Sequence, residues 1–291
     1  MFVLINKVFE RFLEWLFRRN DILNTAVAQL NVQTCMAMEQ LKNMPKYSAP
    51  RSLGRFAAKA YSQNDEDGII QEIFKRIGVT NKTFIEFGIG DGLECNSFNL
   101  LLSGWNGLWI EGSAKSCDAI KKGLPKLIQT GKLKVENSFI TKDNINSLIA
   151  RNLGNEQREI DLLVIDIDGN DYHVWKQISC VKPRVVIFEY NAKFLPGTKW
   201  CMEYREDHTW GYNDAFGVSL SFLEVKLADA GYSLVGCNLT GCNAFFVRND
   251  LLQDKFLAPC TAEHHYEPAR YFALKSGHPA SYSVLERSIS V

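Results

Sequence analysis

"FIEFGIGDGLECNSFNLL", residues 84–101, decides how the chain is read. Residues 84–87 are apolar around one glutamate and read as a buried strand, and residues 96–102 read as the first turns of a helix. Between them stand Gly88, Gly90 and Gly92, accompanied by Glu86, Asp91 and Glu94. A glycine-rich turn from strand to helix is where α/β proteins hold nucleotide-like ligands. A dinucleotide site wants a third glycine where this turn has Leu93, and it sets a pyrophosphate on the helix N-terminus. Here the pyrophosphate would meet three carboxylates. Each like-charge pair at about 4 Å costs on the order of 1 kcal/mol in water and several times that near a protein surface.

A cationic ligand fits better. S-adenosylmethionine has no phosphate and carries an ammonium and a sulfonium, which suit Glu86 and Asp91, while the glycines leave room for its methionine part. Glu111 ends the next expected strand, 19 residues beyond Gly92 (111 − 92). An acidic side chain so placed accepts hydrogen bonds from ribose hydroxyls.

Outward from this turn, helical and strand patterns alternate. Strands are expected at 84–87, 107–111, 132–136, 161–167, 184–190, 232–237 and 242–248. Helices are expected near 64–77, 96–103, 114–122, 143–152, 172–178 and 217–230. The last two strands are joined by "NLTG", too short for a crossover helix, so they form an antiparallel hairpin. The expectation is an α/β fold, a doubly wound, seven-stranded, mostly parallel sheet ending in that hairpin. It matches the Rossmann-like sheet of methyltransferases better than the six parallel strands of a dehydrogenase.

Composition sets the outer limits. The 291 residues, 46% hydrophobic and 12% aromatic, suffice for one large domain with appendages or for two small domains. Lys plus Arg equals Asp plus Glu, 33 each, so no global field draws the chain to nucleic acid, and none is expected as a partner. Eight cysteines without a C-x-x-C read as small core residues in a reducing compartment, so a cytoplasmic location is expected. The expected organisation is a helical N-terminal segment (1–44), a linker (45–60) around "NMPKYSAPRSLG", the sheet domain (61–255) and a tail (256–291).

"MFVLINKVFERFLEWLFRRN", residues 1–20, carries Lys7, Glu10, Arg11 and Glu14 and cannot be an uninterrupted apolar span. Its apolar residues recur at helical spacing, and Asn20-Asp21 is expected to break it and cap a second helix. The stripe would be buried on the core or in a homo-oligomer. The alternative is a peripheral membrane contact, for which Trp15, Phe17, Arg18 and Arg19 speak.

Five segments, "YSQNDEDGIIQEIF", the glycine turn, "GWNGLWIEGS", "DLLVIDIDGNDYHVW" and "GCNAFFVRNDL", resemble the FkbM-type S-adenosylmethionine-dependent methyltransferases. The likeness runs from about Tyr61 to Leu251, leaving residues 1–44 outside it. It implies O-methylation, commonly of sugars in glycans or natural products, and so a small-molecule or glycan acceptor. At "IDIDGND" the chain departs from the commonest members, many of which have a glutamate in the second acidic position.

The chemistry gathers at strand ends. After apolar Leu162 to Ile165 come Asp166 and Asp168, which alternate along an extended chain and so share one face. Asp166 is expected beside the cofactor. Glu189 and Asn191 end the neighbouring strand. Methyl transfer to an alcohol is a displacement at the sulfonium carbon in which the hydroxyl loses its proton. A positioned base contributes roughly 10²–10⁴-fold; a divalent ion can instead acidify the hydroxyl. Asp168, Glu189 and Asn191 are hard oxygen ligands suited to Mg²⁺, and Asp168 or His173 could take the proton. Asn170 and Asp171 read equally as helix caps. Residues 191–216 form a long irregular insertion with Trp200, Tyr204, His208, Trp210 and Tyr212, the make-up of a functional lid, and His208 is an alternative base. His264, His265 and His278 fall in the tail and are given no catalytic part. The competing readings are a non-catalytic binding or scaffold protein on the same fold and, disfavoured by the acidic turn, a nicotinamide-dependent oxidoreductase.

Overall fold

The computed structural model describes residues 2–153, 158–211, 214–270 and Tyr282, with side chains from Asp21 onward. A long helix, α1 (Phe2–Lys42), precedes α2 (Glu66–Ile77), β1 (Thr83–Phe87), α3 (Phe98–Leu102) and β2 (Asn106–Glu111). Next come α4 (Ala114–Gly123), α5 (Pro125–Gln129), β3 (Leu133–Asn137), α6 (Ile145–Leu153) and β4 (Arg158–Ile165). Then follow α7 (Asp171–Trp175), β5 (Val181–Glu189), α8 (Leu220–Asp229), β6 (Tyr232–Cys237), β7 (Asn243–Arg248) and α9 (Ala262–His265).

The seven strands form one sheet in the order β3-β2-β1-β4-β5-β7-β6. The first five pair in parallel, and β7 runs antiparallel to both neighbours, as the short "NLTG" connection requires. Strand order reverses between β1 and β4, and ligands of open α/β sheets bind at the carboxyl ends beside such a reversal. The alternation of side chains sorts each strand onto two cores. Phe84, Trp109, Leu162, Val164, Val185 and Ile187 join one core, and Ile85, Ile110, Leu163, Ile165, Val186 and Phe188 join the other. Coverage by helices on both faces explains why the strands read as nearly unbroken apolar runs.

Four expectations need correction. Asn20-Asp21 does not break the N-terminal segment, since α1 is continuous through it. Asn and Asp each cost only about 0.7 kcal/mol in a helix interior, and neither glycine nor proline is present to stop it. Residues 45–60 are not a loose linker: Tyr47, Leu53 and Ala57 are buried, and the Tyr47 hydroxyl donates to Glu267 at 2.8 Å. Residues 256–270 are correspondingly no free tail, because Phe256, Ala262 and Glu267 are buried against the sheet domain. A few apolar anchors override the loop-like composition of both segments. The strand expected at 161–167 starts earlier and stops at Ile165, leaving Asp166 and Asp168 in the turn that follows. The eight cysteines are free thiols.

Candidate functional site

The carboxyl ends of β1, β4 and β5 and the amino end of β7 surround a cavity of about 870 Å³, within the range of small-molecule sites. Its first wall is the glycine turn. Gly88 has φ 71°, and a Cβ there would stand 1.5 Å from the Asp166 carbonyl oxygen, so only glycine lets the turns after β1 and β4 meet. Gly90 has φ 56°, but an added Cβ would find nothing within 4 Å; it borders open cavity. Gly92 lies against the Trp109 ring.

The acidic groups of this wall have distinct employments. Glu86 borders the cavity but is buried, and its carboxylate accepts the Asn96 and Ser97 N–H groups at 2.8 and 2.9 Å as well as the Ser97 hydroxyl. It ties β1 to the start of α3, the wiring of a structural carboxylate; the sequence suggested a cation partner. Burial raises its pKa and these donors oppose the rise. Asp91 is exposed on the cavity rim, one oxygen accepting the Leu93 N–H at 3.1 Å. Glu111 accepts the Gly90 N–H at 2.9 Å and the Ser113 N–H at 2.8 Å, bracing the turns after β1 and β2.

The opposite wall differs. One carboxylate oxygen from each of Asp166, Asp168 and Glu189 lies within 4.8 Å of the other two. No N–H or hydroxyl among the described residues donates to these three carboxylates. Burial, then the charges of Asp171 and Asp168, pushes the Asp166 carboxyl well above its usual range; burial, then Asp166, does the same to Glu189. Asp168 is also raised by burial, with His208 pulling it down. Asp168 holds a left-handed backbone, φ 57°, uncommon for a non-glycine residue. Asp171 imposes it by accepting the Ile167 and Gly169 N–H groups at 2.9 and 2.8 Å, so it closes the turn and does not face the cavity. Three oxygens so gathered, without donors, suit a divalent cation or a shared proton.

Asn191 was expected to complete a metal set with Asp168 and Glu189. It borders the cavity, but its amide donates to the Asp214 and Phe216 carbonyls and its Oδ1 accepts the Lys193 N–H. Asn191 folds the insertion back on itself, and Asp166, expected beside the cofactor, takes its place in the cluster. The histidines are placed similarly. His173 Nε2 lies 2.7 Å from the Met202 carbonyl, and His208 Nε2 lies 3.1 Å from the Asp168 carbonyl. Neither is among the residues bordering the cavity. Together with Asn170, whose amide donates to the Arg205 carbonyl at 2.6 Å, they pin the 191–216 insertion onto the β4 turn. The insertion then contributes Lys193, Trp210, Asp214 and Phe216 to the cavity, while Tyr212 and Asn213 lie outside the described residues, as does His278.

Two further walls escaped assignment from sequence. Gln63 and Asn64 precede α2, Cys242 precedes β7 and Asn243 begins it. Their segments, "YSQNDED" and "GCNAFF", are the two whose polar residues had no stated role. Glu66 joins them, accepting the Asn238 and Asn243 amides at 2.7 and 2.8 Å and the Asn64 N–H at 2.9 Å. Asp65 accepts the Leu239 and Thr240 N–H groups, and Asp67 accepts those of Ala60, Tyr61 and Ser62. Asp65 and Glu66 thus clamp the β6–β7 turn to the start of α2, and Asp67 holds the segment before it. Asn243 stands directly opposite Glu189 across the ladder, and its buried Oδ1 has no partner among the described residues.

No protein-family model matches the sequence, and no curated protein matches it. Among solved structures, the chain is similar to the N-terminal domain of EvdMO1 with S-adenosylhomocysteine bound, at 12% identity and a TM-score of 0.40 over 65% of this chain and 82% of that one. It is similar to an O-methyltransferase from Bacillus cereus in complex with S-adenosylhomocysteine, at 16% identity and a TM-score of 0.38 over 75% and 89% of the two chains. The glycopeptide N-methyltransferase MtfA complexed with sinefungin gives 12% identity and a TM-score of 0.38 over 66% and 88%. Likenesses this distant carry no argument about residues or reaction. The fold rests on the strand order itself.

Proposed function

We propose that the chain is an S-adenosylmethionine-dependent O-methyltransferase of the FkbM type, acting on a hydroxyl of a sugar or glycan intermediate. The observation that carries this reading is one cavity with two unlike acidic walls. The glycine turn offers backbone room and Asp91 to a cationic cofactor, and Glu111, at the end of β2, braces that turn through the Gly90 N–H. Opposite, Asp166, Asp168 and Glu189 stand where an acceptor hydroxyl must lose its proton. Phosphate-bearing cofactors are disfavoured by Glu86, Asp91 and Glu94. Aromatic and polar side chains of the insertion, Trp210, Phe216 and Asp214, suit a carbohydrate ring.

In the reaction, the acceptor oxygen attacks the methyl carbon and the carbon–sulfur bond breaks, leaving the electron pair on sulfur. The proton passes to the Asp166–Asp168–Glu189 cluster, where burial and mutual repulsion make the carboxylates more basic than ordinary ones. The same three oxygens fit a divalent ion such as Mg²⁺, which when bound would orient the hydroxyl and lower its pKa. His208 then positions the Asp168 turn, and His173 the insertion.

Calorimetry tests the cofactor. S-adenosylhomocysteine should bind and raise Tm, as any ligand selective for the native state must, and NAD should do neither. Binding of NAD without S-adenosylhomocysteine overturns the reading. Transfer of a labelled methyl group to a panel of glycosides tests the acceptor class.

A further inference from the structure

We infer that α1 is one strand of a parallel, two-stranded coiled coil formed with a second copy of this chain. The helix has 41 residues and is about 60 Å long at 1.5 Å per residue. Among its described side chains, those that are anchored lie at the C-terminal end. Met38 is buried, Leu41 packs against the core, and the Lys42 ammonium donates to the Ala57 carbonyl. From Asp21 to Leu30 every residue is exposed. Residues 21–30 therefore gain nothing from tertiary packing, which supplies most helical stability in water.

The sequence says what covers it. Phe2, Phe9, Leu16, Leu23, Leu30 and Ala37 recur every seven residues. Asn6, Leu13, Asn20, Val27 and Thr34 recur at the same interval, four residues after each of the first five. These are the d and a positions of a heptad repeat. Where side chains are described, Leu23, Val27 and Leu30 lie on this seam with 53%, 50% and 57% of their surface exposed. β-Branched Val27 at a, leucines at d, and asparagines at two a positions are the choices that favour two parallel strands in register. No like charges face each other across the flanking positions: Ile5 meets Glu10, Phe12 meets Phe17 and Arg19 meets Asn24 of the second copy. For residues 20–41 a membrane surface is the weaker occupant, because they contain no lysine or arginine to meet anionic lipid. The inference stands apart from the catalytic reading.

Light scattering on the full chain should give twice its 33.0 kDa. Leu23→Asp with Leu30→Asp should yield a monomer whose thermal unfolding is retained, since both positions lie outside the core. In a Cys35→Ser background, Val27→Cys should oxidise to a disulfide-linked dimer, whereas Thr25→Cys, on the outer face, should not. The inference is overturned by a monomeric or trimeric wild type, by a dimer that survives the double substitution, or by Thr25→Cys linking as readily as Val27→Cys. A monomer that sediments with phosphatidylglycerol vesicles would assign the stripe to a membrane surface instead.

Discussion

The two ends of β4 carry carboxylates with opposite circumstances. At the amino end, Asp161 accepts N–H groups from Thr80, Asn81 and Lys82 and pairs with Arg184 at 2.6 Å. Burial works against its charge, but the Arg184 hydrogen bond and these amides win, and its pKa lies below the usual range. At the carboxyl end, Asp166 has no donor among the described residues, only other acids, and its pKa lies far above that range. A carboxylate whose oxygens are all engaged holds the architecture together. One left among like charges requires a proton or a cation, and that requirement marks the reactive end of the sheet.

The largest effects should come from erasing the unwired end. Asp168→Asn and Glu189→Gln should each lower kcat by roughly 10²–10⁴-fold while leaving S-adenosylhomocysteine affinity nearly unchanged. Weakened cofactor binding with intact kcat would remove the contrast. At the wired end, Arg184→Leu strands Asp161 in a buried site and should cost about 3–5 kcal/mol in urea denaturation, with turnover of the folded fraction preserved.

Glu66 sharpens the comparison, being rich in donors yet next to Asp65. Burial, then the Asp65 charge, raises its pKa from 4.5 to about 7. The native state holds this proton more tightly than the unfolded chain. Its contribution to stability is therefore complete below about pH 4.5 and is lost as pH rises through about 7. The loss is on the order of 3 kcal/mol, and Glu66→Gln should flatten that slope. Asp161, with its lowered pKa, contributes in the opposite sense, through stability lost on acidification.

Smaller still, millimolar Mg²⁺ should raise Tm of the wild type by a few degrees, as selective binding to the native state does, and should not do so for Asp168→Asn. Equal shifts in both would argue against an ion at the cluster. Last, His173→Ala should change kcat by less than about threefold, because its ring faces the Met202 carbonyl and contributes no proton transfer. A hundredfold loss would restore it as a base.

Much of the fold was legible in the chain. Seven strands, their alternation with helices, the closing hairpin and the glycine turn follow from periodicity, glycine placement and connection length, all local quantities. The same locality misled at Asn20-Asp21, where capping residues sit inside an uninterrupted helix, and at Tyr47 and Phe256, which lock supposed loops in place.

Residue type and position at a strand end were enough to nominate Glu86, Asp166, Asp168, Glu189 and Asn191 together. Only the tertiary structure separated them. Glu86 finds its donors at Asn96 and Ser97, Asn191 gives its amide to residues 214 and 216, and Asp166 and Glu189 find no donor among the described residues. An isolated sequence cannot make that division, because a carboxylate's charge state and use depend on which donors the fold brings within hydrogen-bonding distance, and those come from other strands, turns and helices.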